Sequence, residues 1–144
     1  MFDTSHFHPM LVHFPVALAL LGIVLELVQF LFFKNEKDLK FSVGEILLYF
    51  ATLSAIAAML SGFLFTSTFT GKSLEVRNLH MMLAVLSTVA LSVTSIFYLL
   101  YRFGKQKGKI FRIIGLLFYM LSALFIGATG FIGGNLVYSY MIGL

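Results

Sequence analysis

The chain has 144 residues, of which 60% are hydrophobic and 11% charged, whereas a soluble domain carries roughly 45–50% apolar and 25% charged residues. With a mean hydropathy of +0.99, this composition excludes an ordinary water-soluble domain and points to one domain embedded in a lipid bilayer. No cysteine is present, which removes disulfides, cysteine-ligated zinc, iron–sulfur clusters and the covalent attachment of c-type haem.

The N-terminal stretch MFDTSHFHPM holds no Lys or Arg, and no small-residue cleavage site follows the first apolar run, so a cleaved signal peptide is not expected. Four apolar runs follow, and each reaches the ~20 residues that a helix needs to cross a bilayer. Lipid offers the backbone no hydrogen bonds, and the runs lack the alternation of a barrel strand, so helices are expected over about 9–33, 43–66, 76–102 and 110–139. The first run opens on HPMLVHFP and carries Glu26 and Gln29 on one face. KNEKDLKFS joins it to the second, STFTGKSLEVR joins the second to the third, and RFGKQKGK joins the third to the fourth. With connections this short, residues 1–144 form a single antiparallel four-helix bundle. No internal repeat stands out, although two hairpins in tandem give the chain a weak two-fold character.

The basic residues orient this bundle. Lys34, Lys37, Lys40, Arg102, Lys105, Lys107, Lys109 and Arg112 flank the first and third connections, against Lys72 and Arg77 on the other side. Positive-inside reasoning places the first and third connections in the cytoplasm and both termini outside. The net charge of +4 is then mostly an insertion signal. Nucleic acid is not an expected partner, since the charges flank spans rather than line one face.

All four histidines fall at the outer end. His6, His8 and His13 open the first helix, and His80 opens the third. Ionisable groups inside a membrane are costly and are functional candidates by default. Two imidazoles at matched depth on separate helices suit the axial positions of a haem iron, and haem b needs no cysteine. His8 and His13 lie roughly 140° apart around a helix and do not serve one metal together. The expected metal pair is therefore His13 and His80, with His8 left to cap the helix, bond a propionate or serve a second metal. Arg77, one turn before His80, is a candidate propionate partner. Gly62 in the second helix, and Gly130 and Gly134 in the fourth, offer room for a ring between helices. Their ordinary role is close helix packing. For the histidines the ordinary role is hydrogen bonding at the interface.

Copper is the competing cofactor, because Met10, Met81, Met82 and Met141 fall at the same end and thioether with imidazole suits Cu(I). Glu26, within the first helix, is expected to be protonated or to find a partner such as Tyr49 or Tyr119. Pro15 removes one helical amide and clashes with the Leu11 carbonyl, so a kink is expected beside His13.

The start HPMLVHFPVAL, a carboxylate later in the same helix, a histidine opening the third helix and the end GFIGGNLVYSYMIGL together resemble the bacterial membrane family filed as domain of unknown function 2231, over nearly the whole chain. The residues that carry the resemblance are His8, Pro9, His13, Phe14, Pro15, Glu26, His80, Gly133, Gly134, Leu136, Val137 and Tyr138. Glu26 stands where the family often has Asp, and the tail SYMIGL departs from its Gly-rich end. The resemblance implies four membrane helices and, through members fused to Rieske or cytochrome c domains, a redox role that favours haem over copper. The expectation is an electron-transfer protein of b-type cytochrome character, holding one haem near the outer face. Its expected partners are the bilayer and a periplasmic cytochrome or membrane redox complex. A quinone is a further candidate that no residue marks, and the small-residue faces also suit a homo-oligomer. A cofactor-free structural subunit is the alternative from another class.

Overall fold

The computed structural model describes residues 7–32, 41–65, 70–104 and 109–140. Five helices occupy them: α1 (Phe7–Leu11), α2 (His13–Phe32), α3 (Val43–Phe65), α4 (Lys72–Phe103) and α5 (Lys109–Tyr140). No strand occurs among the described residues. α1 and α2 together make one span, and four spans are long and apolar enough to cross a membrane.

The break between α1 and α2 falls at Val12, three residues before Pro15. A proline ring clashes with the carbonyl four residues earlier, here Leu11, and cannot donate to it. The helix is interrupted beside that carbonyl and resumes at His13. α4 begins at Lys72, so GKSLEVR, expected as connection, is mostly helix. Gly71 precedes it at φ 60°, a left-handed conformation that glycine adopts without strain, and Glu75 in the first turn faces the positive end of the helix dipole. At the other end the Gly104 amide donates to the Leu100 carbonyl at 2.8 Å and closes the helix.

α2 packs on α3 and α4 on α5, forming two hairpins, and the hairpins meet through α3 with α4 and α2 with α5. Large side chains such as Leu31, Phe50, Leu64 and Leu124 point outward. The interior is built of small and hydroxylated residues, among them Ala19, Ala51, Ala55, Thr94 and Ser122. This follows from the solvent. Lipid gives no hydrophobic drive for helix association, so close backbone approach and hydrogen bonding replace it. Most buried hydroxyls donate to a carbonyl of their own helix, as Thr94 does to Ala90 at 2.8 Å. Thr52 also bonds Ser95 across α3 and α4 at 2.9 Å.

The weak two-fold character of the sequence reappears in the burial pattern of the helices. In α2 the buried residues are Pro15, Ala19, Gly22, Ile23 and Glu26. The residues 72 positions later, Ser87, Leu91, Thr94, Ser95 and Tyr98, are all buried in α4. In α3, Gly44, Glu45, Leu48, Ala51, Ala55 and Ala58 are buried. Their counterparts 71 positions later, Gly115, Leu116, Tyr119, Ser122, Ile126 and Thr129, are buried in α5. The hairpins are thus parallel repeats about a pseudo-two-fold axis along the bundle, an arrangement known in membrane transporters.

Candidate ligand site at the histidine end

His8 and His80 occupy equivalent positions, one in each hairpin, and their rings meet. The centroids are 6.2 Å apart and the planes are inclined at 81°. Each imidazole is held by the second helix of its own hairpin. Nδ1 of His8 bonds the Ala58 carbonyl at 3.1 Å, and Nδ1 of His80 bonds the Thr129 carbonyl at 3.1 Å. A carbonyl oxygen only accepts, so Nδ1 carries the proton on both rings. The neutral imidazole then keeps its lone pair on Nε2, which takes no hydrogen bond among the described residues. Anchoring one ring nitrogen on a carbonyl is how proteins orient a ligating histidine.

One turn beyond each carbonyl stands a glycine that the ring requires. A Cβ at Gly62 would lie 3.0 Å from Cε1 of His8, and a Cβ at Gly133 would lie 2.9 Å from Cε1 of His80. Imidazole, carbonyl and glycine therefore recur as a unit, His8–Ala58–Gly62 and His80–Thr129–Gly133. The units differ at one hydroxyl. Ser61 Oγ lies 2.9 Å from Nδ1 of His8 and donates to the Ala58 carbonyl at 2.7 Å, while Ile132 occupies the equivalent position beside His80.

The two rings open on a cavity of about 650 Å³ with mostly apolar walls, within the usual size of a small-molecule site. Arg77 and His13 line it, as do Gly62, Gly130, Gly133 and Gly134. All six residues marked by the sequence beside His80 thus reach one cavity, but the pairing differs from the expectation. The sequence reading pairs His80 with His13; the ring that His80 meets is His8. His13 is exposed on the next turn, and its Nδ1–H donates to the Pro9 carbonyl of α1 in the same span at 2.7 Å. The cause is rotational. His8 shares the register of His80, and five further residues turn a side chain roughly 140° away.

The glycines also divide into two kinds. Gly62 and Gly133 are tight against the rings, and a Cβ at Gly130 would meet Val16 at 3.6 Å, whereas a Cβ at Gly127 or Gly134 would meet nothing within 4 Å. Gly127 and Gly134 are therefore open cavity wall rather than packing contacts. Of the methionines, Met10 and Met82 turn outward, Met81 lines the cavity as counted, and Met59 lines it without having been singled out. His6 and Met141 lie outside the described residues. Among those described, no group of three or more His, Cys, Asp or Glu gathers.

The opposite end of the bundle is built differently. Glu26 and Glu45 are almost fully buried. Arg102 forks onto the Glu45 carboxylate, with its Nε at 3.0 and 3.1 Å from the two oxygens and Nη2 closer still. Arg112 pairs with Glu26 at 3.1 Å. Ser42 donates to Glu26 at 2.6 Å through Oγ and to Glu45 at 2.9 Å through its amide, and its Oγ accepts the Glu45 amide. The partners expected for Glu26 were tyrosines; the observed ones are a serine and an arginine, because Arg112 at the start of α5 turns inward instead of toward headgroups. The hydroxyls of Tyr49 and Tyr119 are buried without a hydrogen-bond partner among the described residues. Sequence reasoning missed Glu45 and counted both arginines as orientation signals alone. The repeat holds here too: Arg102 lies over the Phe41 ring and Arg112 over the Phe30 ring, and the two contacts exchange when the hairpins are exchanged.

A family model described as "Predicted membrane protein (DUF2231)" matches residues 4–144. No curated protein and no solved structure matches the chain.

Proposed function

The chain belongs to the DUF2231 family of predicted membrane proteins, and from that premise and the site geometry we propose that it is a membrane-embedded electron carrier holding one haem b between His8 and His80. The paired imidazoles carry this reading. Both rings are anchored through Nδ1, their centroids are 6.2 Å apart, and both line the same cavity, so these two histidines would hold the group. Two imidazoles are too few for a protein-only zinc or copper centre, while a porphyrin brings four nitrogens of its own. Bound there, haem supplies reversible one-electron chemistry at iron.

The protein's part is positioning and solvation. The Ala58 and Thr129 carbonyls fix both rings and raise the basicity of Nε2. Gly62 and Gly133 clear the space that those rings need. Arg77, in the same cavity, suits a carboxylate substituent, and the apolar walls exclude water. His13 drops out of the ligand pair and lines the cavity. The distribution of Lys and Arg favours an outward-facing histidine end in a bacterial inner membrane, where a soluble cytochrome or a membrane redox complex would exchange electrons.

An absorption spectrum of the full chain in mild detergent tests this. A Soret band that shifts on dithionite reduction is expected, lost in His8→Ala and in His80→Ala and kept in His13→Ala. A colourless protein with stoichiometric copper supports instead a site built on the histidines with Met59 and Met81. A protein with neither, purified only within a larger assembly, supports a structural subunit.

A further inference from the structure

The repeat makes each half of the cavity a control for the other, and the halves differ in one direction. On α5, Gly127, Gly130 and Gly134 face the site. The equivalent residues of α3 are Ile56, Met59 and Phe63. The cavity follows the glycines. It reaches Ala17 and Leu20 of α2 and Gly127 of α5, while their counterparts Val89, Ser92 and Ile56 do not line it. Ala17 and Leu20 are exposed on the lipid side of the bundle, as are Phe131 and Tyr138 at the α5 rim. The cavity therefore runs along the groove between α2 and α5, where its walls are exposed, and stops short in the equivalent groove between α3 and α4, where Met59 and Phe63 form its wall. A second difference is charge. Arg77 lines the cavity from α4, and its equivalent position in the first hairpin is Ser5.

We infer that the site takes a flat apolar ligand with an anionic substituent, seated off the pseudo-two-fold axis against the glycine wall of α5 and loaded sideways from the bilayer between α2 and α5. Glycines at 127 and 134 leave a surface without side chains on which a ring system lies flat. They are not needed for helix contact, since added Cβ atoms there meet nothing within 4 Å. Entry from lipid also follows from what borders the groove, which is apolar along its length. Arg77 sets the polarity of the bound molecule, its anionic group lying one turn beyond His80 toward the end of the bundle. This deepens the haem reading, because haem is one ligand of that class, but it rests on the shape of the cavity rather than on iron.

The test copies the closed half onto the open one. Gly134→Phe and Gly127→Ile are made in the full chain, reconstituted in phosphatidylcholine nanodiscs, with Val89→Ala, at the mirror position of Ala17 and outside the cavity wall, as the control. Ligand content is read twice, as pigment absorbance and as co-purified small molecules by native mass spectrometry. Gly134→Phe is expected to lower ligand content roughly tenfold, equivalent to about 1.4 kcal/mol of affinity, with the helical circular dichroism of the parent. Haemin added to ligand-free protein in vesicles is expected to bind more slowly in Gly127→Ile. Val89→Ala should match the parent, and Arg77→Gln should weaken binding of anionic haemin more than that of its dimethyl ester. Wild-type loading in both glycine variants overturns the inference, and Gly127→Ile carries the test if Gly134→Phe does not fold. A co-purified apolar molecule without a Soret band, lost in Gly134→Phe, sinks haem and keeps the lateral site. A Soret band that survives both glycine variants does the reverse, and a parent chain holding neither overturns both.

Discussion

The two ends of this bundle spend buried polar groups in opposite ways. At the carboxylate end, Glu26 and Glu45 are met by Arg112, Arg102 and Ser42 in a closed set of charge-assisted bonds. At the histidine end, the rings are anchored through Nδ1 and line a cavity. The first arrangement joins the hairpins. The acidic members both belong to the first hairpin and the basic members both to the second, so the set forms only when the two pack together. The second arrangement gives up packing, since glycines and a cavity stand where side chains would otherwise fill space. The proposed ligand site and a structural lock thus stand at opposite ends of the same repeated helices.

Breaking the lock should have the largest effect. Removing one partner of a buried ion pair leaves the other charge unpaired, at a cost of about 3–5 kcal/mol. Arg102→Ala should therefore unfold the chain at markedly lower denaturant or temperature in detergent, and retention of full stability would dissolve the contrast between the ends. Glu26→Gln should cost less, about 1.5–3 kcal/mol, because the neutral amide still accepts from Ser42 while the charge-assisted bond to Arg112 is lost. Gly133→Ala should behave in the opposite manner: a Cβ 2.9 Å from His80 Cε1 and 3.2 Å from Nδ1 displaces the ring, so ligand content falls while the unfolding midpoint of ligand-free protein stays. Gly134→Ala meets no protein atom within 4 Å and should leave the His80 ring and the ligand-free unfolding midpoint unmoved, so any loss of ligand there reports the cavity wall rather than the ring. The smallest effect is expected from Tyr119→Phe. Its hydroxyl is buried without a partner among the described residues, so its removal should stabilise by about 1 kcal/mol. A loss of stability there would mean that the hydroxyl has a partner, and the carboxylate network would then extend to Tyr119.

Much of the site was legible before any coordinate. The shared depth of the histidines and their company of Gly62, Gly130, Gly134 and Arg77 followed from hydropathy and chain direction. The choice of ring did not, because hydropathy fixes depth along a helix and leaves rotation about its axis undetermined. One signal was available and passed over: His8 and His80 stand 72 apart, and Gly62 and Gly133 stand 71 apart. The spacing singles out His8, and His13 has no counterpart in it. Glu45 escaped notice for a different reason. It lies two residues inside a span whose preceding connection is polar, so it read as interfacial until Arg102 was seen to fold back onto it.

The amino-acid sequence by itself determined the solvent, the four spans and the gathering of imidazoles at one end, because these depend on local composition and on the length a helix needs to cross lipid. Tertiary structure alone decided that His8 faces His80, that two arginines close the far end, and that the cavity opens between α2 and α5. Those outcomes depend on how helices rotate and pack against one another.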